Sequence, residues 1–434
     1  MLNLSPGSAR LIDRLSHRHS VWTSNTPGIV LLGAAGLTLA VLYGRHRRRR
    51  RLGLTGHPWR AATGVAGALA LTVLATAAFV NAYAGYLPTT AALTQAVGFP
   101  APGQPAKGSG QVREVFIPDP GLGVPGGSTY IYTPPGYNPA AHRRYPVLYM
   151  IHGSPGNSAD WFQAGGAATV LDTLINAQAI APVLLVAPSA NAGFLSDTEC
   201  LNAVGGRQLE TYLTRDVVGY VDQHFATAAN WQHRGIGGMS SGGFCALNLG
   251  LKHQNLFGTV LAFEPYGDPG VRALPLLNFN RALLAANSPR TYLPSLRFQH
   301  PMNFFLDVGG LSGGSIRQVR SLGRELRLRQ QNVEFRVEPG QAHTWTEAAA
   351  GLPYALAFAS NVTSNVTGNS QVSRPSADGE ALVRRVKGRL AHDTLGPLRP
   401  AVLVAVHLGI GLLHQLCQRR LGARDPDLRA QRKP

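Results

Sequence analysis

Gly238-Met239-Ser240-Ser241-Gly242 has the G-x-S-x-G spacing that sets a nucleophilic serine on a sharp strand-to-helix turn. Such a turn strains the serine backbone and needs small residues where strand and helix pass closely. Gly238 and Gly242 meet that need, and Gly243 adds room. The chemistry is acyl transfer, which also takes a base, a carboxylate to orient the base, and donors for the oxyanion. His343, in Gly340-Gln341-Ala342-His343-Thr344-Trp345, is the candidate base, because the chain order Ser…acid…His puts it on a loop before the last helix. The oxyanion donors are expected to be two backbone amides. One is that of Ser241, directly after the nucleophile, and the other that of Ser154 in His152-Gly153-Ser154-Pro155-Gly156. The acid is the least determined member. Asp307 ranks first, as the carboxylate on the apolar segment Asn303–Val308, with Glu264 at an earlier strand end and Glu325 on the following helix as alternatives.

These groups need a scaffold, and the apolar pattern supplies one. Tyr145–Ile151, Ala181–Ala187, Thr259–Phe263 and Asn303–Val308 are short, almost wholly apolar runs of the kind found in buried parallel strands. Trp231–Gly237 is expected to be the strand that enters the serine turn, and Val333–Val337 the strand that leads to His343. Val112–Ile117 and Thr129–Tyr132 are expected as antiparallel entry strands. Helices are expected over Ala168–Gln178, Leu209–Phe225, Phe244–Lys252, Ser315–Gln331 and Leu352–Ser360, the last with Pro353 in its first turn. Alternating strands and helices imply an α/β fold, one sheet with helices on both faces, over residues 111–360.

Outside that domain the chain changes character. It has 44% hydrophobic and only 14% charged residues, and a formal net charge of +18 that gathers in Arg45–Arg51 and in the tail after Val383. Residues 1–27 are mostly polar and short of core material. Two uncharged apolar runs follow within 28–87: Gly28–Gly44 and Ala61–Leu87, the second flanked by Trp59, Tyr83 and Tyr86. Both are long enough to span a bilayer, and the arginine block between them belongs on the cytoplasmic side. The competing reading of the first run, a secretory signal peptide, is opposed by the long polar lead and by arginines where a cleavage site should stand. Residues 88–110 and 361–400 have linker composition. Residues 401–434 hold the apolar run Ala401–Cys417 and a basic tail, either a third span or an interfacial helix. The basic runs carry no recognised nucleic-acid motif, so membrane is the expected partner and nucleic acid is not. The three cysteines have no metal-ligand spacing; Cys200 and Cys245 are either a disulfide or two buried thiols.

Five segments together resemble a known family. Tyr132-Thr133-Pro134-Pro135-Gly136-Tyr137, YPVLYMIHG, Glu210-Thr211-Tyr212-Leu213-Thr214, GGMSSGG and AHTW are similar to the esterase D/antigen 85 (mycolyltransferase-like) branch of the α/β-hydrolases. The resemblance covers about residues 111–360. It implies a Ser-acid-His esterase or acyltransferase with no cofactor and no metal. One departure stands out: esterase D-like members carry a G-x-x-D acid after the strand, and here Gly309-Gly310-Leu311-Ser312 has a serine in that place. The expected protein is a membrane-anchored serine esterase of an actinobacterial-type cell envelope, with its catalytic domain outside the membrane and a lipid or envelope ester as substrate. The alternatives are a mycolyltransferase-like acyltransferase and a non-catalytic envelope-binding protein on the same fold.

Overall fold

The computed structural model describes residues 4–17, 20–54, 58–96, 108–119, 121–124, 126–191 and 196–364. These lie in one compact unit, residues 1–370. The expected third apolar segment 401–417, and nearly all of the expected linker 361–400, lie outside the described residues.

A single sheet organises the domain. It has eight strands: β1 (Gln111–Ile117), β2 (Gly127–Thr133), β3 (Val147–Ile151), β4 (Leu184–Ala187), β5 (Arg234–Met239), β6 (Thr259–Phe263), β7 (Asn303–Asp307) and β8 (Asn332–Phe335). Their spatial order is β1-β2-β4-β3-β5-β6-β7-β8. β1 and β2 pair antiparallel, β2 meets β4 antiparallel, and every pairing from β4 to β8 is parallel. The central strands β3, β4, β5 and β6 are buried along their whole length, which is why β3, β4 and β6 read as continuous apolar runs, while β5 is rich in glycine. This is the α/β-hydrolase sheet, with the first two strands as its antiparallel margin.

Helices cover both faces. On one face the segment from Leu209 to His224 and the helix Gly313–Leu328 pack their apolar sides through Leu213, Val217, Val221, Val319, Leu322 and Leu326. On the other face lie Ala167–Asn176 and Trp345–Ser364, through Leu171, Leu174, Leu352 and Leu356. The expected helix Leu209–Phe225 is interrupted, its middle turn Tyr212–Val217 being a π-helix. The expected last helix, Leu352–Ser360, is longer and runs Trp345–Ser364, so Pro353 sits inside it rather than in its first turn. Burial of Trp345 and Ala348 against the sheet extends that helix toward its N-terminus.

The N-terminal segment corrects an expectation. Residues 6–16, read as polar and without core material, form helix α1 (Pro6–Ser16), capped by the Ser5 hydroxyl on the Ser8 amide, 3.1 Å. Its Ile12 and Leu15 are buried in the same cluster as the last helix. Leu11, Ile12 and Leu15 are too few to stand out as a helical pattern against the surrounding arginines.

Two long helices follow, α2 (Thr26–Arg51) and α3 (Pro58–Ala84), both long and apolar enough to cross a membrane. They lie side by side: a Cβ at Gly28 would come 2.7 Å from the Phe79 ring, and one at Gly64 2.7 Å from Leu42. Their outer faces leave Ile29, Val30, Leu37, Leu69 and Val73 exposed, an apolar surface far larger than a water-facing pair of helices carries. Gly85 ends α3 at a positive φ of 77°.

Candidate active site

Ser240 sits at the end of β5 and opens helix α4 (Ser241–Lys252). Its φ of 59° and ψ of −116° lie outside the regions that ordinary residues occupy. The glycines explain why the chain can close so tightly. A Cβ on Gly238 would stand 2.1 Å from the Gly242 carbonyl oxygen, and one on Gly242 2.4 Å from the carbonyl oxygens of Ile151 and His152. Neither position admits a larger residue without moving backbone. The Ser240 amide donates to the Phe263 carbonyl, 2.9 Å, which ties the turn to β6.

The geometry brings Ser240 and His343 together. Nε2 of His343 lies 2.7 Å from the Ser240 Oγ. His343 stands on the loop between β8 and the last helix, with its side chain 40% exposed, open to an incoming substrate.

The acid is where the structure departs from the first-ranked expectation. The carboxylate beside the His343 ring belongs to Glu264, whose Oε2 lies 3.2 Å from Nδ1. Asp307 makes no bond to His343. It is fully buried; its Oδ1 accepts from the Val308 amide, 3.0 Å, and its Oδ2 has no partner. A Cβ on Gly351 would stand 1.7 Å from that Oδ2, so the carboxyl is pressed against the last helix rather than the imidazole. Burial, with Glu338 nearby, raises the Asp307 pKa well above the usual carboxylate range, and burial, with Asp307 nearby, does the same to Glu347. Among the described residues no bond joins Glu325 or Ser312 to His343 either.

Glu264 directly follows β6 at a positive φ of 48°, a second non-glycine residue held in the left-handed region beside the serine. Its Oε1 accepts from the Gly309 amide, 2.8 Å, which pins the carboxylate. The Nδ1 contact is long and its hydrogen bond poorly aligned, as in many ligand-free sites whose bonds tighten when substrate binds.

Two amides near the nucleophile remain the candidates for the oxyanion donors. That of Ser241 is in the first turn of α4, where helical N–H groups have no intrahelical acceptor. That of Ser154 follows β3, and among the described residues it has no hydrogen-bond partner. A Cβ on Gly153 would lie 3.6 Å from the Ser240 Cβ, so this loop passes directly beside the nucleophile.

His152 was read only as part of a glycine-rich loop, but it is a strut. The Ala190 amide donates to its Nε2, 3.1 Å, so Nδ1 carries the proton and donates to the Gly153 carbonyl, 2.7 Å. Burial lowers its pKa to about 4, which keeps the ring neutral and this pattern fixed. Glu210, part of the segment that carried the family resemblance, is structural here. It binds Lys252 at 2.6 Å and His253 at 2.8 Å, holding the C-terminal end of α4. Cys200 and Cys245 form a disulfide, with Cα atoms 5.6 Å apart, that joins the loop before Leu209 to the same helix. Among the described residues no cluster of His, Cys, Asp and Glu is arranged to hold a metal ion.

Comparison with known proteins gives partial matches over the same domain. Residues 128–307 match the esterase family model. A Corynebacterium glutamicum protein described as uncharacterized is 29% identical over 141 residues, 32% of this chain and 33% of that protein. A Mycobacterium tuberculosis esterase is 30% identical over 116 residues, 26% of this chain and 24% of that protein. The chain thus spans about a third or less of the length of these curated relatives. Among solved structures, a ferulic acid esterase superposes with a TM-score of 0.51 at 20% identity, covering 58% of this chain and 99% of that one. That likeness establishes the fold, and with the sequence matches it supports an esterase-family α/β-hydrolase domain.

Proposed function

We propose that the chain is a membrane-anchored serine esterase that cleaves an acyl ester of the cell envelope, with its catalytic domain outside the cytoplasmic membrane. The observation that carries the chemistry is the 2.7 Å approach of His343 Nε2 to Ser240 Oγ, with the Glu264 carboxylate on the far side of the same ring. In this reading His343 takes the Ser240 proton as Oγ attacks the ester carbonyl carbon. The carbonyl oxygen becomes an oxyanion and receives hydrogen bonds from the Ser154 and Ser241 amides, while Glu264 stabilises the imidazolium. Collapse expels the alcohol, which leaves with the proton from His343, and the acyl group remains on Ser240. Water, deprotonated by His343, then attacks the acyl carbon and releases the acid and the free serine. An acceptor hydroxyl in place of water would make the same acyl-enzyme a transferase, and product analysis separates the two.

Three observations support the location. α2 and α3 have the length and composition of spans, and the arginine block Arg45–Arg51 closes the first, as a cytoplasmic flank does. The Cys200–Cys245 disulfide fits an oxidising compartment. A groove of about 500 Å³ along the last turns of α3, lined by Val73, Ala77, Val80, Tyr86 and Leu87, adds to the apolar surface that a lipid environment would cover. A non-catalytic reading would rest on the serine at position 312, and the Glu264 carboxylate beside His343 counts against it.

The test is labelling of intact cells with a membrane-impermeant fluorophosphonate. Label that appears on the wild type and vanishes in Ser240→Ala supports both the activated serine and its outward placement. Label in lysates alone would overturn the topology, and none in either would sink the triad.

A further inference from the structure

We infer that Tyr86, two residues beyond the end of α3, is a positioning residue for the loop that presents the Ser154 amide, so that the exit of the membrane anchor completes the active site. The inference rests on the serine esterase reading and adds a part to it that lies outside the α/β-hydrolase domain.

The loop after β3 is held by its carbonyl groups. The Gly153 oxygen accepts from His152 Nδ1, 2.7 Å, and the Gly156 oxygen from Asn191 Nδ2, 3.4 Å. Between them, the Pro155 oxygen accepts from the Tyr86 hydroxyl, 2.7 Å. Proline has no N–H, so its carbonyl is the one backbone handle by which this part of the loop can be fixed. The Ser154 amide belongs to the peptide group whose carbonyl His152 holds from within the domain, and the anchor fixes the chain two peptide groups further on, at the Pro155 carbonyl. An oxyanion donor is useful only if its direction is set before the reaction begins.

The neighbouring residues hold the other side of the site. The Tyr86 ring packs edge-on against Trp345, with centroids 6.2 Å apart, and Trp345 follows His343 by two positions. A Cβ on Gly85 would stand 2.7 Å from Thr346 Cγ2 and 2.9 Å from the Thr346 amide nitrogen. Two consecutive residues of the anchor exit thus touch the loop after β3 and the first turn of the helix that follows His343. The exit is itself fixed: Asn81 Nδ2 donates to the carbonyls of Trp22, 2.8 Å, and Leu87, 3.0 Å, and the Leu87 amide returns a bond to Asn81 Oδ1, 2.8 Å. Trp22 Nε1 donates to Thr90 Oγ1, 3.1 Å. Burial raises the Tyr86 pKa, so its hydroxyl stays a donor throughout the physiological range.

The experiment uses the full chain in detergent or nanodiscs with p-nitrophenyl butyrate as the probe ester. Tyr86→Phe removes the donor and keeps the ring on Trp345. The expected result is a kcat lower by about tenfold with KM within about twofold, because a misdirected oxyanion donor is felt in the transition state. Gly85→Ala, which pushes the exit away from Thr346, should lower kcat in the same way, and carries the test if Tyr86→Phe folds poorly. Leu37→Ala changes the exposed outer face of α2, takes no part in fixing the exit, and should leave kcat unchanged. Wild-type kcat in Tyr86→Phe, or an equal loss in Leu37→Ala, would overturn the positioning role while leaving the esterase reading intact. A wild-type protein that neither hydrolyses esters nor takes a fluorophosphonate would overturn both.

Discussion

The Glu264 carboxylate lies 3.2 Å from His343 Nδ1, although Asp307, on the adjacent strand, is the acid that the strand pattern favours. The two differ in what surrounds them. Asp307 is walled in by the last helix and shares its surroundings with Glu347, another fully buried carboxyl, so both gain by holding protons. Glu264 is equally buried but receives the Gly309 amide and faces the imidazole. A left-handed φ at Glu264 turns the chain out of β6, and backbone strain of this kind collects at functional sites.

Glu264→Gln should therefore behave as the loss of the triad acid. A glutamine amide favours the wrong imidazole tautomer and leaves the imidazolium without a counter-charge, so kcat should fall by about 10³- to 10⁴-fold. Asp307→Asn keeps the shape of a side chain that makes no bond to His343 and should cost less than about tenfold. Steady-state hydrolysis by the two purified variants decides the matter, and a reversed order would return the role to Asp307.

The strain at Ser240 predicts a stability signature. A non-glycine residue at φ 59° and ψ −116° costs on the order of 1–3 kcal/mol. Glycine adopts that conformation freely, whereas alanine does not, and glycine's own unfolded-state penalty is about 0.5–1 kcal/mol. Both Ser240→Gly and Ser240→Ala should be inactive, but the glycine variant should be the more stable by about 1 kcal/mol in denaturant unfolding. Equal stability would mean that the turn is not strained.

Much of this site was legible because its chemistry imposes spacing. The glycines around Ser240 stand where backbone oxygens leave no room for a Cβ, so the motif records the packing directly. His343 followed from its place after the last strand. The acid did not, because Asp307 and Glu264 both end apolar strands and only burial and backbone direction tell them apart. The bond from Tyr86 to Pro155 joins residues 69 positions apart, and no local pattern encodes such a pairing. Helix α1 was missed for a related reason: Ile12 and Leu15 become core only because the last helix offers them a surface.

The Cys200–Cys245 bridge closes a separation of 45 residues and ties a loop to the nucleophile helix. Cross-linking a loop of this size restricts the unfolded chain by an amount worth about 2–4 kcal/mol. Cys200→Ser with Cys245→Ser should lower the melting temperature in oxidising buffer. Adding reductant should lower the wild type toward the double variant and leave the double variant unchanged. A wild type indifferent to reductant, with the thiols shown to be reduced, would leave the bridge without a stabilising role.

Glu199 gives the protein a pH-dependent stability whose sign can be stated. Burial, with Asp197 close by, pushes its pKa up to about 8, against the pull of the Tyr266 hydroxyl that donates to it at 2.6 Å. In the unfolded chain the same carboxyl titrates near its ordinary value of 4.5. Between those two values the unfolded chain has released a proton that the folded chain retains, so raising the pH favours unfolding. The cost is absent below about pH 4.5 and complete above about pH 8. Glutamine has no such proton to lose. Glu199→Gln should therefore match the wild type near pH 4.5 and be increasingly more stable than it up to pH 8, after which the gap is constant. Asp307 and Glu347 titrate in the same direction and preserve part of the slope in the variant. Denaturant midpoints across this range measure the gap, and a gap that does not widen as the pH rises would show that Glu199 ionises as readily in the folded protein as in the unfolded chain.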